Sequence, residues 1–428
     1  MFEKLFKLSN HNTTAKREIV AGITTFLTMS YIIFVHPSML AETGMDQTAL
    51  ITVTCLIAFL GTAMVAFFAN APLAMAPGMG LNAFFTYSLV MGLGVSWEVA
   101  LGVVFISGII FLLLTVTGFR TKIIKAIPRE LQLAIAAGIG LFIAFIGFQN
   151  LGLIVNDDAT LVKLGEITLP VLIGLVGLMT MAVLEIKRVK GGILIGILLS
   201  TSLALLLGLV SVPEEIVSMP PSIEPVAFKL DIMGALSLSM IMPILSFMFV
   251  DLFDSVGTIV SLANEADMID EDGNIEKVDK ILAADALATT AGAVLGTSTT
   301  TTFVESATGV AEGGRTGLTS LTTGVLFLIA MFLTPVIAIV PAYATAPALI
   351  IVGAYMFKNL IDIDFSKTEI AIPTFLTIIM MPLTYSISMG IAFGFVSYVL
   401  IEIVLGKTKD VSPYMWGIAL FSLIEILF

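Results

Sequence analysis

The sequence predicts an all-α polytopic membrane protein whose about fourteen transmembrane segments form two inverted repeats of seven. Composition is the first reason: 58% of the 428 residues are hydrophobic and only 12% are charged, with a mean hydropathy of +1.07. A soluble globule needs more polar surface than this composition provides. The second reason is that apolar runs recur at membrane-spanning length. The third is a pair of interrupted hydrophobic segments at matching places in the two halves.

The apolar runs can be placed in order along the chain, since a spanning helix needs about 20 such residues. A polar connector at 214–231 divides them, and a final amphipathic helix is expected over 413–428. Because each half holds an odd number of runs, the second half enters the bilayer from the opposite face. The runs of the two halves are 18–36, 48–69, 72–91, 96–118, 130–151, 167–186 and 191–211, then 232–260, 277–296, 299–312, 317–341, 344–360, 367–387 and 388–406.

Basic residues predict the orientation. By the positive-inside rule the loops that carry them are cytoplasmic, which makes both termini cytoplasmic and places a multi-pass protein in the inner (plasma) membrane. The tail 1–17 leads into the first apolar run without a small-residue cleavage site, so that run is expected to remain as a span. The basic residues on this side are those of the tail, then Arg120, Lys122, Lys125, Arg129, Lys187, Arg188, Lys190, Lys358, Lys367, Lys407 and Lys409.

Several classes of function do not fit the composition. The formal charge is −12 and no basic stripe could bind nucleic acid. Cys55 is the single cysteine and lies in an apolar run, which indicates a core residue rather than a thiol ligand. His11 and His36 are the two histidines, too few for a histidine-based metal site or proton path. No metal or organic cofactor is expected.

The interrupted segments are residues 76–82 (APGMGLN) and 299–305 (TTTTFVE). Backbone that is not helical is tolerated at membrane depth only where it lines a cavity or is buried in protein, so the breaks predict a buried polar pocket. The β-branched threonines favour an extended strand, with a short helix from about Phe303. Donors at that helix start could serve a ligand site with Glu305 or could cap Glu305 itself. Asn82 could contact a ligand or only pack its helix.

Three further acids lie within apolar segments. Asp251 and Asp254 are spaced i, i+3 on one predicted helix, which gives them a common face, and Thr258 follows a turn later. A carboxylate at the bilayer centre costs about 2.5–3.5 kcal/mol, so a functional role is expected for Asp254, while Asp251 could equally serve packing. Asp285 is expected to bond to a neighbouring span. Proton coupling, if present, must use carboxylates, and Glu305, Asp254 and Asp251 are the candidates.

Four ordered strings make the chain resemble a known family. They are residues 22–32 (GITTFLTMSYI), 76–85 (APGMGLNAFF), the segment containing Asp254, and 300–310 (TTTFVESATGV). With them the whole chain resembles the AzgA-like adenine/guanine/hypoxanthine permeases, of the nucleobase:cation symporter 2 type. The uracil-type relatives carry a histidine one turn after the acid of the eighth span. Thr258 stands there in this chain, so their proton route does not transfer unchanged, and the role of His36 stays open.

The resemblance implies a fold shared with uracil and xanthine permeases. A core domain would comprise 18–129 and 232–342, and a gate domain 130–213 and 343–428, with 1–17 as the tail. The resemblance also implies elevator-type alternating access, proton symport and a homodimer through the gate domain. The substrate would lie between the two extended strands, bound by Asp254, Glu305, Asn82, Thr302, Phe303, Gly80, Thr258 and Ser306.

The chemistry of a purine agrees with this site. Guanine presents N1–H beside its 2-amino group, so one carboxylate can accept both hydrogen bonds in a planar, two-pronged contact. Hypoxanthine keeps the N1–H, whereas adenine has an acceptor at N1 and suits the site less unless the acid is protonated. Guanine or hypoxanthine is therefore the expected substrate.

Alternative functions use parts of the same pattern. An anion or carboxylate carrier of this fold would bind its ligand at the opposed helix starts, but two acids would repel an anion. An intramembrane aspartyl protease would use Asp254 and Glu305 as an acid pair, although the Gly-Asp motif of such enzymes is missing. A scaffold protein would have no use for broken helices and buried acids. We therefore expect a transporter rather than an enzyme.

Overall fold

The computed structural model describes residues 2–117, 127–213, 215–263, 265–269, 275–409 and 411–427. Arg120, Lys122 and Lys125, which contributed to the predicted orientation, lie outside the described residues. The described chain is mostly helical, which confirms the predicted fold class.

The elements of the first half run from the N-terminal tail to the polar connector. They are α1 (Phe2–Phe6), α2 (Ala15–Met29), α3 (Ile32–Ala41), α4 (Gln47–Phe68), β1 (Met75–Pro77), α5 (Met79–Ala83) continued by a π-helix (Phe84–Gly92), α6 (Trp97–Val116), α7 (Arg129–Asn150), β2 (Ile154–Asp157), β3 (Leu161–Leu164), α8 (Leu169–Ile186) and α9 (Gly192–Leu206). Strands β2 and β3 form an exposed hairpin.

The second half repeats the pattern of a short strand set among long helices. Its elements are α10 (Ile232–Ala235), α11 (Ile241–Ala263), α12 (Val278–Leu295), β4 (Thr300–Thr302), α13 (Ser306–Ala311), α14 (Gly317–Ala330), α15 (Thr334–Ala338), α16 (Ala342–Phe357), α17 (Thr368–Thr384), α18 (Ile387–Val404) and α19 (Pro413–Leu427). Short 3₁₀ turns at Leu8–His11, Leu238–Met240, Met331–Leu333 and Lys358–Asp362 complete the set.

Within the described residues, nine helical stretches are long and apolar enough to cross a membrane. The shorter apolar helices α9 and α17, the less apolar helix α12 and the two interrupted segments occupy the other five predicted positions. The number of crossings, fourteen, stays a prediction. One predicted span begins too early: Asp231 caps the separate one-turn helix α10 by accepting the N–H of Gly234, and α11 begins only at Ile241.

Side-chain caps explain where several spans begin. Thr14, Asp46, Ser96 and Ser386 accept the N–H three residues later at the starts of α2, α4, α6 and α18. The start of α14 is capped from a distant part of the chain. The buried Glu18 carboxylate accepts the N–H groups of Arg315 and Thr316 at 2.9 and 3.2 Å. This contact ties the first span to the eleventh.

Helix packing falls largely into two groups. Helices α2–α6 pack with α11–α15, and we call this set the core group. Helices α7–α9 pack with α16–α18, and we call this set the flanking group. Small residues allow the closest crossings: a Cβ on Gly353 would lie 2.4 Å from the carbonyl oxygen of Gly140. The residue limits of the core and gate domains stay predictions.

Candidate functional site

The two interrupted segments meet and pair in the core group. Strands β1 and β4 are antiparallel, with Met75 opposite Thr302 and Pro77 opposite Thr300. The pairing continues one step further, because the Phe303 N–H donates to the carbonyl of Ala74 at 2.9 Å. Backbone groups that left their helices are thereby satisfied inside the protein. Antiparallel pairing of equivalent segments is the arrangement that a two-fold axis between inverted repeats produces.

Neighbouring side chains hold the strands in place. The Thr289 hydroxyl on α12 lies 3.1 Å from both the N–H and the carbonyl oxygen of Thr300. A Cβ on Gly78 would lie only 2.5 Å from the Cγ2 of Thr301. Glycine is therefore required at the end of β1 by the close approach of β4, since its φ of −69° is open to any residue.

Glu305 lies where β4 gives way to helix. The helix α13 begins at Ser306, so the predicted start near Phe303 is wrong: the Phe303 N–H still bonds to the opposite strand. Glu305 occupies the N-cap position, yet its side chain makes no capping hydrogen bond. Instead its Oε1 accepts the hydroxyl of Tyr31 at 2.8 Å, and the residue is half-buried. The carboxylate is therefore partly open rather than used up as a cap.

Asp254 joins Glu305 at this end of β4. Its Oδ2 lies 3.5 Å from the Thr301 hydroxyl. Glu305 is close enough for an electrostatic interaction between the two carboxyl groups. Asp254 and Thr258 are both half-buried, so this face of α11 borders an accessible space. The structure thus brings together two of the predicted site residues, the carboxylates of Asp254 and Glu305.

Asp251 lies one turn before Asp254 on α11, as the i, i+3 spacing predicts, but it is more deeply buried and has a different partner. Three residues turn a helix by about 300°, so side chains at this spacing diverge by about 60°. Asp251 is fully buried and faces α12, with its Oδ2 3.5 Å from the Thr289 hydroxyl. It lies behind the strands instead of beside the opening.

A polar path runs inward from Asp254. The Ser255 hydroxyl lies 2.8 Å from that of Thr301 and donates to Asp285 Oδ2 at 2.5 Å. Asp285 therefore bonds from α12 to the neighbouring span, as the sequence predicted. Together these contacts link the accessible Asp254 to a fully buried carboxylate.

The other predicted site residues are buried. Asn82 is fully enclosed; its Oδ1 accepts the Ser298 hydroxyl and its Nδ2 lies 3.4 Å from the carbonyl of Pro77. Ser306 uses its hydroxyl oxygen to accept the Ala74 N–H at 3.0 Å. Phe303 is 6% exposed, and the buried Thr302 hydroxyl has no hydrogen-bond partner within the described residues. Substrate contacts by these residues stay predictions.

Gly80 faces the flanking group. A Cβ at this position would lie 2.7 Å from the Cγ2 of Ile139 on α7 and 4.0 Å from the Cε of Met356 on α16. The absence of a side chain therefore lets the core group approach the flanking group beside the strands. Its predicted contact with a substrate stays a prediction.

Two residues near the strands had no predicted role. Tyr31 lies at the break between α2 and α3 and donates to Glu305; in the sequence it is one aromatic residue in an apolar run. His36 is fully buried, and its Nε2 lies 2.7 Å from the hydroxyl of Thr297, just before β4. The described residues include no group of three or more His, Cys, Asp or Glu side chains that could hold a metal ion.

This combination of paired broken segments, accessible carboxylates and apolar helices defines a membrane transporter, not an enzyme. The chain belongs to the Permease family of xanthine and uracil permeases, whose profile matches residues 16–393. It is 45% identical over 435 residues to the guanine/hypoxanthine permease PbuG of Bacillus subtilis, covering 99% of both chains. It is 42% identical over 429 residues to the adenine permease AdeP of Escherichia coli, covering 100% of this chain and 96% of AdeP.

Solved structures share the fold at low sequence identity. The transmembrane domain of the cyanobacterial bicarbonate transporter BicA matches with a TM-score of 0.63 at 15% identity, covering 90% of this chain and 97% of that domain. The structure of SLC26A9 matches with a TM-score of 0.64 at 12% identity, covering 91% of this chain and 65% of the other. These likenesses concern the fold alone, and they confirm the predicted inverted-repeat transporter architecture.

Proposed function

We propose that this protein takes up purine nucleobases, with guanine or hypoxanthine bound by Glu305 and Asp254 at the end of the paired strands. The observation that carries the proposal is the pair of half-buried carboxylates beside the strand–helix junction. Relatives at 42–45% identity over essentially the whole chain are named for adenine and for guanine/hypoxanthine transport.

The hydrogen-bonding chemistry favours guanine and hypoxanthine. Tyr31 donates to one oxygen of Glu305, which fixes the carboxylate and leaves acceptor capacity on it. A guanine can then donate N1–H and a 2-amino N–H in a charge-assisted, two-pronged contact. Adenine offers an acceptor at N1, so the carboxylate would have to be protonated to bind that edge.

The same carboxylates disfavour the alternative of an anion carrier. An anion at the strand–helix junction would meet both Asp254 and Glu305 and be repelled by them. BicA shares the fold of this chain at 15% identity, and fold alone does not decide a substrate.

We further propose that uptake is coupled to protons and occurs by an elevator-type movement. Asp254, Glu305 and the buried Asp251 are the groups that would carry the proton, because acids within a membrane protein commonly form such relays. The core group would move against the flanking group and carry the strands with it. Cytoplasmic termini, an inner-membrane location and a homodimer through the flanking group complete the expected arrangement.

Uptake of radiolabelled guanine and hypoxanthine by cells that lack their own purine permeases tests the proposal. Glu305→Gln and Asp254→Asn should each lower uptake at subsaturating substrate by about 10- to 100-fold, since a hydrogen bond to a charged group contributes about 1.5–3 kcal/mol. The exposed Glu166→Gln is the matched control. A competition panel of guanine, hypoxanthine, adenine, xanthine and uracil ranks the substrates. Unchanged uptake by both site variants would refute the assignment.

Proton coupling needs its own measurement. With the protein reconstituted in vesicles, an imposed inward proton gradient should drive accumulation of hypoxanthine, and a protonophore should abolish it. Accumulation that is unchanged by the protonophore would refute proton symport but would not bear on the assignment of the purine site.

A further inference from the structure

A second phenol–carboxylate pair lies on the flanking group. The Tyr355 hydroxyl on α16 donates to Glu185 Oε2 on α8 at 2.5 Å. On the core group the hydroxyl of Tyr31 donates to Glu305 at 2.8 Å in the same manner. The Nζ of Lys358 lies over the Tyr355 ring, 4.8 Å from its centre.

Backbone contacts place this pair against the core group. The Oε1 of Glu185 lies 2.8 Å from where a Cβ on Gly192 would be. The adjoining Gly191, with φ +70°, would bring a Cβ within 3.0 Å of the carbonyl oxygen of Leu27, one helical turn before Tyr31. The pair therefore faces the core group close to the Tyr31–Glu305 contact.

Tyr355, the other member of this pair, is also close to the paired strands. Met356, the residue after Tyr355, approaches Gly80 in the first interrupted segment, with 4.0 Å between its Cε and a Cβ placed on that glycine. The two phenol–carboxylate pairs thus border the same boundary between the core and flanking groups.

Electrostatics agree with this placement. The charge of Glu185 acts on both Glu305 and Tyr31, and the charge of Glu305 acts on Tyr355. Glu185 is half-buried, so the boundary space reaches it. Among the residues that the structure describes, no cation forms an ion pair with Glu185, and the nearby Lys190 is paired with Glu312. An acceptor with spare capacity therefore lies on the flanking side of this boundary.

We propose that Glu185, positioned by Tyr355, lines the nucleobase site from the side of the flanking group. It accepts an N–H from the purine edge opposite the one that Glu305 binds. In a free purine base that edge carries the single N–H of the imidazole ring, whereas a 9-substituted purine cannot offer it from N9. This inference rests on the proposed function and deepens it by naming the residue that selects free bases over 9-substituted ones.

Uptake kinetics with a pair of related ligands test the inference. We expect wild-type uptake of hypoxanthine to be inhibited poorly by 9-methylhypoxanthine. Glu185→Gln should raise the KM for hypoxanthine about 10-fold, since a neutral amide replaces a charge-assisted acceptor. The inhibition constant of 9-methylhypoxanthine should stay within about 2-fold of its wild-type value. The ratio of this inhibition constant to the KM for hypoxanthine should therefore fall by about 10-fold. Glu166→Gln, which removes an exposed charge from the loop before α8, should change neither value.

Tyr355→Phe provides an independent arm, because it leaves the carboxylate and removes only the group that positions it. It should raise the KM for hypoxanthine about 3-fold and spare 9-methylhypoxanthine. Wild-type KM and wild-type discrimination in both Glu185→Gln and Tyr355→Phe would overturn the inference. The wild-type and Glu305→Gln transporters are measured in the same cells, so that failure of the proposed function can be told apart from failure of this inference. An inactive wild type refutes the proposed function. An active wild type with unaltered kinetics in Glu185→Gln refutes only the role of Glu185.

Discussion

The two interrupted segments have the same backbone plan but different side chains. Each consists of a short strand followed by a short helix, and the two strands pair with each other. Residues 71–89 around β1 are all buried and carry no charge. The segment with β4 opens at its end: Val304 is 52% exposed, Glu305 is half-buried, and Asp254 lies beside them.

The two segments therefore share a backbone symmetry but not their side-chain chemistry. The polar side chain of the first segment already has a protein partner, since Asn82 accepts the hydroxyl of Ser298 from just before β4. The second uses threonines to build its strand and leaves carboxylates available at the strand end. We therefore expect the first segment to act as a support against which the second is positioned. Substitutions in the first segment should therefore change stability, and substitutions in the second should change substrate binding.

The largest expected effect is a loss of stability when the close approach of the two strands is disturbed. Gly78→Ala should lower the free energy of unfolding by about 3 kcal/mol, near the upper end for overpacking, because its Cβ would meet the Thr301 Cγ2 at 2.5 Å. The thermal midpoint of the detergent-purified protein measures the loss. Adding Thr301→Ser removes that methyl group and should restore most of the stability.

Gly257→Ala on α11 is the matched control, because a Cβ there would meet nothing within 4 Å. A midpoint for Gly78→Ala equal to that of this control would contradict the close packing of β1 against β4.

A smaller effect is expected from Ser298→Ala, which leaves the buried Asn82 oxygen without its donor. The loss should be about 1–2 kcal/mol in unfolding, because an unsatisfied buried acceptor keeps its desolvation cost. KM for hypoxanthine should stay unchanged if the first segment is only a support. The exposed Ser202→Ala should affect neither quantity. A raised KM with intact stability would show that Asn82 takes part in binding after all.

The smallest effect should come from Tyr31→Phe. Removing the hydroxyl frees one oxygen of Glu305 to solvent, and water can replace the lost donor at this half-buried carboxylate. The KM for hypoxanthine should therefore rise by only about 2- to 10-fold, with stability unchanged. Tyr343→Phe is the control, since that hydroxyl has no hydrogen-bond partner within the described residues. Equal kinetics for the two variants would argue against a role for Tyr31 in presenting Glu305.

Much of the strand pair could be anticipated from local patterns. A Pro-Gly break and a threonine run in matching segments predict extended backbone, and β1 and β4 appear at those places. The helix start after β4 was predicted too early, since the bond from Phe303 to Ala74 joins residues far apart in the chain. Which of Asp251 and Asp254 is accessible could not be predicted, because spacing gives an angle but not which neighbour each side chain meets.

Hydrophobicity, chain period and side-chain chemistry are local properties, so the sequence alone predicts the membrane environment, the repeated spans and the residues that can ionise. Which acids are accessible is seen only in the folded chain. Asp254 and Glu305 are half-buried at the strand end while Asp251 and Asp285 are enclosed, although all four are carboxylates in apolar segments. The physical reason is that accessibility depends on contacts between distant segments, and Tyr31, Gly78 and Thr301 acquire their roles only when those segments meet.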